Sequence, residues 1–267
     1  FPAVRACLFD MDGLLINTED IYTVCHNKIL STYSSGPLTW DIKSQLQGRP
    51  SFEAIQRLLA WFKLDNVSVE EYSTKLRALQ EIEFTKAQPL PGVEQFLCDL
   101  KNSKGKHHQI HIALATSSPE ANFKIKTAHL SELFSSFTTE RTILGDNPKI
   151  PHGRGKPYPD IYLLALRAIN ETLSDGETPL KPNECLVFED GVPGVVAGRR
   201  AGMRVIWVPH QDLVAEFKDR GSELLNDLYK SMDYSQDEEL DMRNGWVIQM
   251  ENLVNFPFDE FEIVKNI

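Results

Sequence analysis

The sequence predicts an α/β fold: a doubly wound, parallel-sheet (Rossmann-like) core carrying an inserted all-helical domain. Three patterns lead there. Residues 4–9 form a short apolar run that stops at Asp10, residues 17–87 keep a helical period without a strand-like interruption, and from Pro89 onward apolar runs alternate with amphipathic stretches. Strand–helix alternation with short connections implies right-handed crossovers and a parallel sheet. The gap between the first two strands far exceeds a crossover helix, so a helical insertion is the simplest account.

Each element has its own signal. Val4-Arg5-Ala6-Cys7-Leu8-Phe9, closed by acids and Gly13, suits a buried parallel strand whose carboxyl end opens into a loop. Behind the candidate caps Asn17 and Thr18, Ile21, Val24, Cys25 and Ile29 hold helical spacing. Pro50-Ser51 opens a second stripe of Phe52, Ile55, Leu59 and Phe62, and Ser68 with Glu71 makes a capping-box pattern ahead of Tyr72, Leu76 and Leu79. After Pro89-Leu90-Pro91-Gly92, a helix through Val93–Leu100 leads by a polar loop, 101–108, to a strand at Ile110–Ala115. A helix around Asn122–His129, a strand-like segment near Phe137 and a helix at Ile161–Ile169 follow. Next come a strand at Cys185–Phe188, a helix at Val195–Ala201 and a strand at Met203–Val208. Residues 211–243, with the acidic stretch Asp233–Asp241, read as a surface helix and a loop; Trp246, Val247 and Ile248 offer one more strand.

Composition narrows the class of partner. The chain has 267 residues, 42% hydrophobic and 25% charged, an ordinary globular balance that excludes wholesale disorder. With 28 basic against 38 acidic residues and a net charge of −10, it is poorly suited to nucleic acid polymers. A few local cations and backbone N–H groups can still hold one small phosphate. No apolar run approaches the ~20 residues that span a bilayer, so no membrane association is expected. Cys7, Cys25, Cys98 and Cys185 are dispersed and read as reduced core residues of a cytoplasmic protein. The chain opens on Phe1 rather than Met, so a trimmed start and a lost targeting segment stay open.

Ligands of such sheets bind outside the carboxyl ends of the strands. Those ends carry Asp10-Met11-Asp12-Gly13, Thr116-Ser117-Ser118 and Glu189-Asp190-Gly191, with Gly155-Lys156-Pro157 heading a helix between the last two. Asp10 and Asp190, with a backbone carbonyl, are hard oxygen donors suited to Mg²⁺. Thr116, Lys156 and the N–H groups of the first loop could hold phosphate oxygens, leaving one aspartate facing phosphorus. The reaction class is phosphoryl transfer to a carboxylate.

Phe9-Asp10-Met11-Asp12-Gly13, Ala115-Thr116-Ser117, Gly155-Lys156-Pro157-Tyr158-Pro159-Asp160 and Val187-Phe188-Glu189-Asp190 resemble, in order, the four motifs of the haloacid dehalogenase superfamily. Residues 187–209 are similar to the helical-cap subgroup, which includes β-phosphoglucomutase, sugar-phosphate phosphatases and pseudouridine-5′-phosphatase. Asp10–Glu19, Leu114–Ser118 and Leu144-Gly145-Asp146 resemble the last of these most. The resemblance implies a catalytic core of residues 1–16 and 88–267 with a cap domain of residues 17–87. It implies Asp10 as nucleophile, Asp12 as general acid and base, and Thr116, Ser117 and Lys156 as phosphate ligands. Asp10, Asp12 (through its carbonyl), Asp190 and Glu189 would bind Mg²⁺, Glu189 as ligand or as a partner behind one. Asn17, Gly48 and Arg49 stand where relatives meet the substrate or hinge the cap.

The activity so implied is Mg²⁺-dependent hydrolysis of a small phosphomonoester, a nucleoside or sugar phosphate with pseudouridine 5′-phosphate first, by a monomer. A phosphomutase is the alternative, disfavoured because Tyr22 stands where such mutases carry a cap histidine. A non-catalytic phosphate-binding scaffold would have lost Asp10 or its metal partner. His107, His108 and His111 read as a polar loop entering a strand rather than a metal site. Arg154 adds a cation before the lysine motif.

Overall fold

The computed structural model describes residues 1–47, 51–105, 109–216, 225 and 244–265. Strand β1 (Ala6–Phe9) is followed by four helices, α1 (Thr18–Thr32), α2 (Trp40–Leu46), α3 (Ser51–Trp61) and α4 (Val69–Glu83). Then come α5 (Val93–Lys101), β2 (Ser103–Gly105), β3 (His111–Ala115), α6 (Glu120–Thr127), α7 (Ser131–Phe134) and β4 (Thr142–Ile143). The chain continues through α8 (Asp160–Glu171), β5 (Cys185–Glu189), α9 (Val192–Arg200), β6 (Arg204–Trp207), α10 (Gln211–Glu216), β7 (Val247–Gln249) and β8 (Ile263–Lys265).

Six strands form one parallel sheet in the order β4-β3-β1-β5-β6-β7. The strands alternate faces with period two. Cys7, Phe9, Leu114, Leu186 and Phe188 join the core on one side, while Ala6, Leu8, Ala113, Val187 and Val205 join the core on the other. Both layers exclude water, which is why these runs are apolar throughout rather than alternating. Phe9 stacks on Phe188 at 4.7 Å between ring centroids, directly beneath the ends of β1 and β5.

The helical insertion packs as α1 against α4 and α3 against α2 and α4. The Ser68 hydroxyl accepts the Glu71 N–H at 3.1 Å, as the capping pattern implies. Asn17 does not cap α1: its side-chain oxygen accepts the Gln88 N–H at 2.8 Å, tying together the two chain crossings that lead into and out of the insertion.

Three further sequence expectations change. The strand-like segment near Phe137 is a turn; Phe137 is buried, 5.9 Å from Phe9, and the two-residue β4 lies just beyond it. Local hydrophobicity there reflects core packing, not a strand. Phe52 is 66% exposed, because α3 turns Ile55, Leu58 and Leu59 inward instead. The polar loop 101–108 contains β2, which pairs antiparallel with β8 from the far end of the chain. Three-residue strands with so distant a partner leave no alternation to read. His111 lies at the amino end of β3, 3.2 Å from both Glu177 and Arg141, at the edge opposite the motif loops. His107, His108 and Asp233–Asp241 fall outside the described residues.

No helix among the described residues is long and apolar enough to cross a membrane. Packing in the insertion is tested by denaturant unfolding of two α3 variants. Leu58→Ala, fully buried, should lose ~2–5 kcal/mol, whereas Phe52→Ser should stay within ~0.5 kcal/mol of the parent. Equal effects would contradict the orientation of α3.

Candidate active site

The chain runs outward from β1 to β3 and β4, then returns to β5 beside β1 and runs outward again. The strand order therefore reverses between β1 and β5, and a crevice opens at their carboxyl ends. Asp10 stands at that reversal, its N–H donating to the Phe188 carbonyl at 3.0 Å. The loop then turns at Gly13 with φ +79°, where a Cβ would lie 2.2 Å from an Asp190 carboxylate oxygen. Glycine alone satisfies both the backbone and the approach.

One cation organises the acids. Lys156 Nζ donates to Asp10 Oδ1 at 2.5 Å and lies 2.7 Å from Glu189 Oε1, with the Tyr162 ring centroid 5.1 Å away. Tyr162 also donates its hydroxyl to Glu189 Oε1 at 2.6 Å. Glu189 Oε2 accepts the N–H groups of Asp190 and Gly191 at 3.1 and 3.3 Å. Both Glu189 oxygens are thus engaged, and in this arrangement the residue braces Lys156 and its own loop. Gly194 leaves the room: a Cβ there would sit 1.7 Å from Glu189 Oε1.

The remaining charge is not offset. Oxygens of Asp10, Glu189 and Asp190 lie within 4.8 Å of one another, all buried. Burial pushes Asp10 up to about 7, Lys156 opposing and Glu189 and Asp12 adding to the rise. Asp190 is pushed well above the carboxylate range by burial first, then by Glu19, Glu189 and Asp10. An all-oxygen, electron-rich cluster in which burial and crowding oppose the ionisation of Asp10 and Asp190 matches a hard divalent cation in donor chemistry and in charge.

Asp12 has a different environment. Its Oδ1 accepts the Thr18 hydroxyl and the Lys126 ammonium, each at 2.6 Å, and its Oδ2 accepts the Ser118 hydroxyl at 2.6 Å. Burial raises its pKa, but Lys126 and these hydrogen bonds outweigh burial and hold the carboxyl below the usual range. Two acids on one loop, two residues apart, are therefore poised in opposite directions.

A cavity of about 720 Å³ opens over the carboxylates. Asp10, Asp12, Ser117, Lys156, Glu189 and Asp190 line it. Thr116 is fully buried at its margin, its hydroxyl accepting the Ser118 N–H at 3.1 Å. Asn17 lies elsewhere, on a smaller cavity of about 170 Å³ beside the hinge. Gly48 and Arg49 lie outside the described residues. Arg154 turns away from the carboxylates, paired bidentately with Asp160 at 2.9 and 2.8 Å.

Several residues go unmarked in the sequence. From the helical insertion, Glu19, His26, Lys43, Gln47 and Gln80 line the cavity beside the already noted Tyr22. Lys43 is 3.0 Å from the Glu19 carboxylate, and Gln47 donates to Asp190 at 3.1 Å. Burial and Lys43 bring His26 down to about 4, so it is neutral at pH 7. Lys126 is the largest omission. One signal for it exists: Phe123, Lys126, Thr127 and Leu130 hold the inward-facing spacing of a helix, with a lysine in an apolar slot.

Known proteins share this arrangement of sequence. The haloacid dehalogenase-like hydrolase profile matches residues 4–202. A probable pseudouridine-5′-phosphatase of Saccharomyces cerevisiae is 48% identical over 217 residues, covering 81% of this chain and 87% of that protein. A (DL)-glycerol-3-phosphatase of Arabidopsis thaliana is 33% identical, covering 88% of this chain and 73% of its own length. Among solved structures, a putative β-phosphoglucomutase of Thermotoga maritima superposes with a TM-score of 0.56 at 27% identity, covering 86% of this chain and 100% of that one.

The crowded acids make stability depend on pH. Asp10 and Asp190 bind protons more tightly when folded, so their contribution is full below ~pH 4 and is lost as pH rises, for Asp10 through about 7. With divalent cations chelated, Asp190→Asn should therefore melt ~2–8 °C above the parent at pH 8, as ~1–2 kcal/mol of relieved repulsion implies. The difference should close at pH 4. Equal melting temperatures at pH 8 would contradict the crowding.

Proposed function

The chain belongs to the haloacid dehalogenase-like hydrolase family, and on that premise we propose that it is a Mg²⁺-dependent phosphomonoester hydrolase working through an aspartyl-phosphate on Asp10. The observation that carries the reading is the pairing of Asp10 with Lys156 at 2.5 Å, beside a second acid, Asp12, poised oppositely on the same loop.

Asp10 and Asp190, with the Asp12 carbonyl, would hold Mg²⁺, and Glu189 would support them by bracing Lys156. The cation, when bound, would offset carboxylate and phosphate charge, so that a dianionic phosphate can approach ionised Asp10. Ser117, Lys156 and the N–H groups following Asp10 would bind the phosphate oxygens, with Thr116 holding their loop. An Asp10 carboxylate oxygen attacks phosphorus as the bond to the leaving oxygen breaks, and Asp12 gives that oxygen its proton. Phosphate beside Asp12 opposes its ionisation, so proton uptake would accompany substrate binding. In the second half Asp12, ionised again, takes a proton from water while the water oxygen attacks phosphorus. The Asp10–phosphorus bond breaks, which restores the Asp10 carboxylate and leaves Asp12 protonated, its proton released again as phosphate departs.

Residues 17–87 would act as the cap, excluding bulk water and selecting the leaving group. The cap wall is apolar at Leu38, Leu46, Ile55 and Leu76, with His26 and Gln80 as polar points and Asn122 from the core. A cavity in the ~300–1,000 Å³ range of sites that enclose drug-sized ligands suits a nucleoside better than a three-carbon polyol. Together with the 48% identity to the probable pseudouridine-5′-phosphatase of Saccharomyces cerevisiae, this favours pseudouridine 5′-phosphate, with sugar phosphates behind it. Tyr22 directs its hydroxyl at Lys126 and offers no imidazole for a mutase cycle. Buried free thiols at Cys7, Cys25 and Cys185 suit a reducing compartment such as the cytoplasm.

The test is phosphate release from a panel of nucleoside, sugar and polyol phosphates with Mg²⁺. Expected are the highest kcat/KM for pseudouridine 5′-phosphate, no turnover in Asp10→Asn, and a ~10²–10⁴-fold loss in Asp12→Asn. Isomerisation without phosphate release, or full activity in Asp10→Asn, would overturn the reading.

A further inference from the structure

We propose that Lys126 is the positioning residue for Asp12, pinning one carboxylate oxygen so that only Oδ2 meets the reacting atoms. The inference rests on the reading of Asp12 as acid and base of an Asp10-linked phosphatase. Nothing in the four motifs contains Lys126.

The ammonium is enclosed. The Lys126 side chain is 0% exposed, the Phe84 ring centroid is 4.4 Å from Nζ and the Tyr22 centroid 5.1 Å. An ammonium has three protons to donate. Asp12 Oδ1 at 2.6 Å, Ser118 Oγ at 2.9 Å and the Tyr22 hydroxyl at 3.1 Å accept all three. Lys126 does not line the cavity. It therefore has neither a spare proton nor a path for binding substrate phosphate, unlike Lys156. What it can do is act on Asp12.

That action is asymmetric. Oδ1 receives both Lys126 and Thr18, which fills its two lone pairs. Oδ2 receives only the Ser118 hydroxyl, leaving one lone pair, and Asp12 lines the cavity. Ser118 itself accepts from Lys126, so its own proton is directed to Oδ2. The lysine thus fixes the carboxylate plane twice, once directly and once through Ser118. Two of its anchors, Tyr22 and Phe84, lie at the two ends of the helical insertion, and their rings meet edge to face at 5.2 Å. An isolated buried ammonium in an apolar helix slot is strongly unfavourable. A methionine would fill that slot; the carboxylate is what the charge serves.

The two half-reactions separate a positioning role from a structural one. p-Nitrophenyl phosphate has a leaving group that needs no proton, so it can phosphorylate Asp10 without the acid, whereas water attack still needs the base. With Mg²⁺, Lys126→Met is expected to release about one nitrophenolate per active site in a burst. Its steady turnover should then fall ~10²-fold below wild type, the loss that a misplacement of ~1 Å brings. On alkyl phosphates the same variant should lose turnover with no burst. A steady rate within threefold of wild type, or burst and steady rate falling together, would overturn the proposal. If Lys126→Met does not melt cooperatively, Lys126→Gln is read by the same criteria, since it keeps donors for Ser118 and Tyr22 and removes the charge. Wild type that shows no Asp10-dependent turnover would sink the phosphatase reading itself, a separate outcome seen before any Lys126 variant is compared.

Discussion

The 2.5 Å contact between Lys156 and Asp10 is the interaction on which the rest of the site depends. Buried carboxylates repel one another and resist ionisation, and a nucleophile must be ionised to attack. Lys156 meets part of that demand by lying against both Asp10 and Glu189. The fold makes the contact possible because β1 and β5 are neighbours, and the loop ahead of α8 carries Lys156 to the acids at their ends. Glycine at positions 13 and 194 then lets Asp190 and Glu189 come as close as they do. One lysine is not enough for three buried acids, and the unmet remainder is what a divalent cation would offset.

Asp12 shows the same problem solved differently. Against burial, the Lys126 charge and hydrogen bonds from Lys126, Ser118 and Thr18 hold it below the usual carboxylate range, while Asp10 is pushed up to about 7. The opposite poise of the two aspartates thus follows from their neighbours: Asp10 shares its lysine with Glu189, whereas Asp12 adds two hydroxyl donors to its own. The helical insertion contributes to both halves: Gln47 reaches Asp190, and Thr18 and Tyr22 reach Asp12 and its lysine. Positions at the seam between insertion and core are therefore chemical as well as mechanical.

The core of this arrangement is legible in the sequence because three of the four motifs are apolar runs that end in groups an apolar run would not contain. Asp10, Thr116 and Asp190 stand directly at strand ends, and backbone topology alone brings them together. The rest depends on contacts between distant segments. Lys126 is hidden because a charged residue on an amphipathic helix ordinarily faces water, and only its place in the Phe123–Leu130 stripe marks it. Glu19 and Lys43 are hidden because each neutralises the other across two helices whose relative placement has no local signal. The β2–β8 pair and the turn at Phe137 fail to show for a related reason: segments so short are shaped by what packs on them.

On the function proposed, a divalent cation would complete the charge balance that Lys156 begins and convert Asp10 into an ionised nucleophile. Calorimetric titration of Mg²⁺ into the protein at pH 7, in buffers of different ionisation enthalpy, measures it most directly. Because Asp10 titrates near neutrality without the metal, binding should displace protons, and the apparent enthalpy should vary with the buffer. The proton release should vanish at pH 9. Mg²⁺ binding with no buffer dependence at pH 7, or no binding at all, would contradict it.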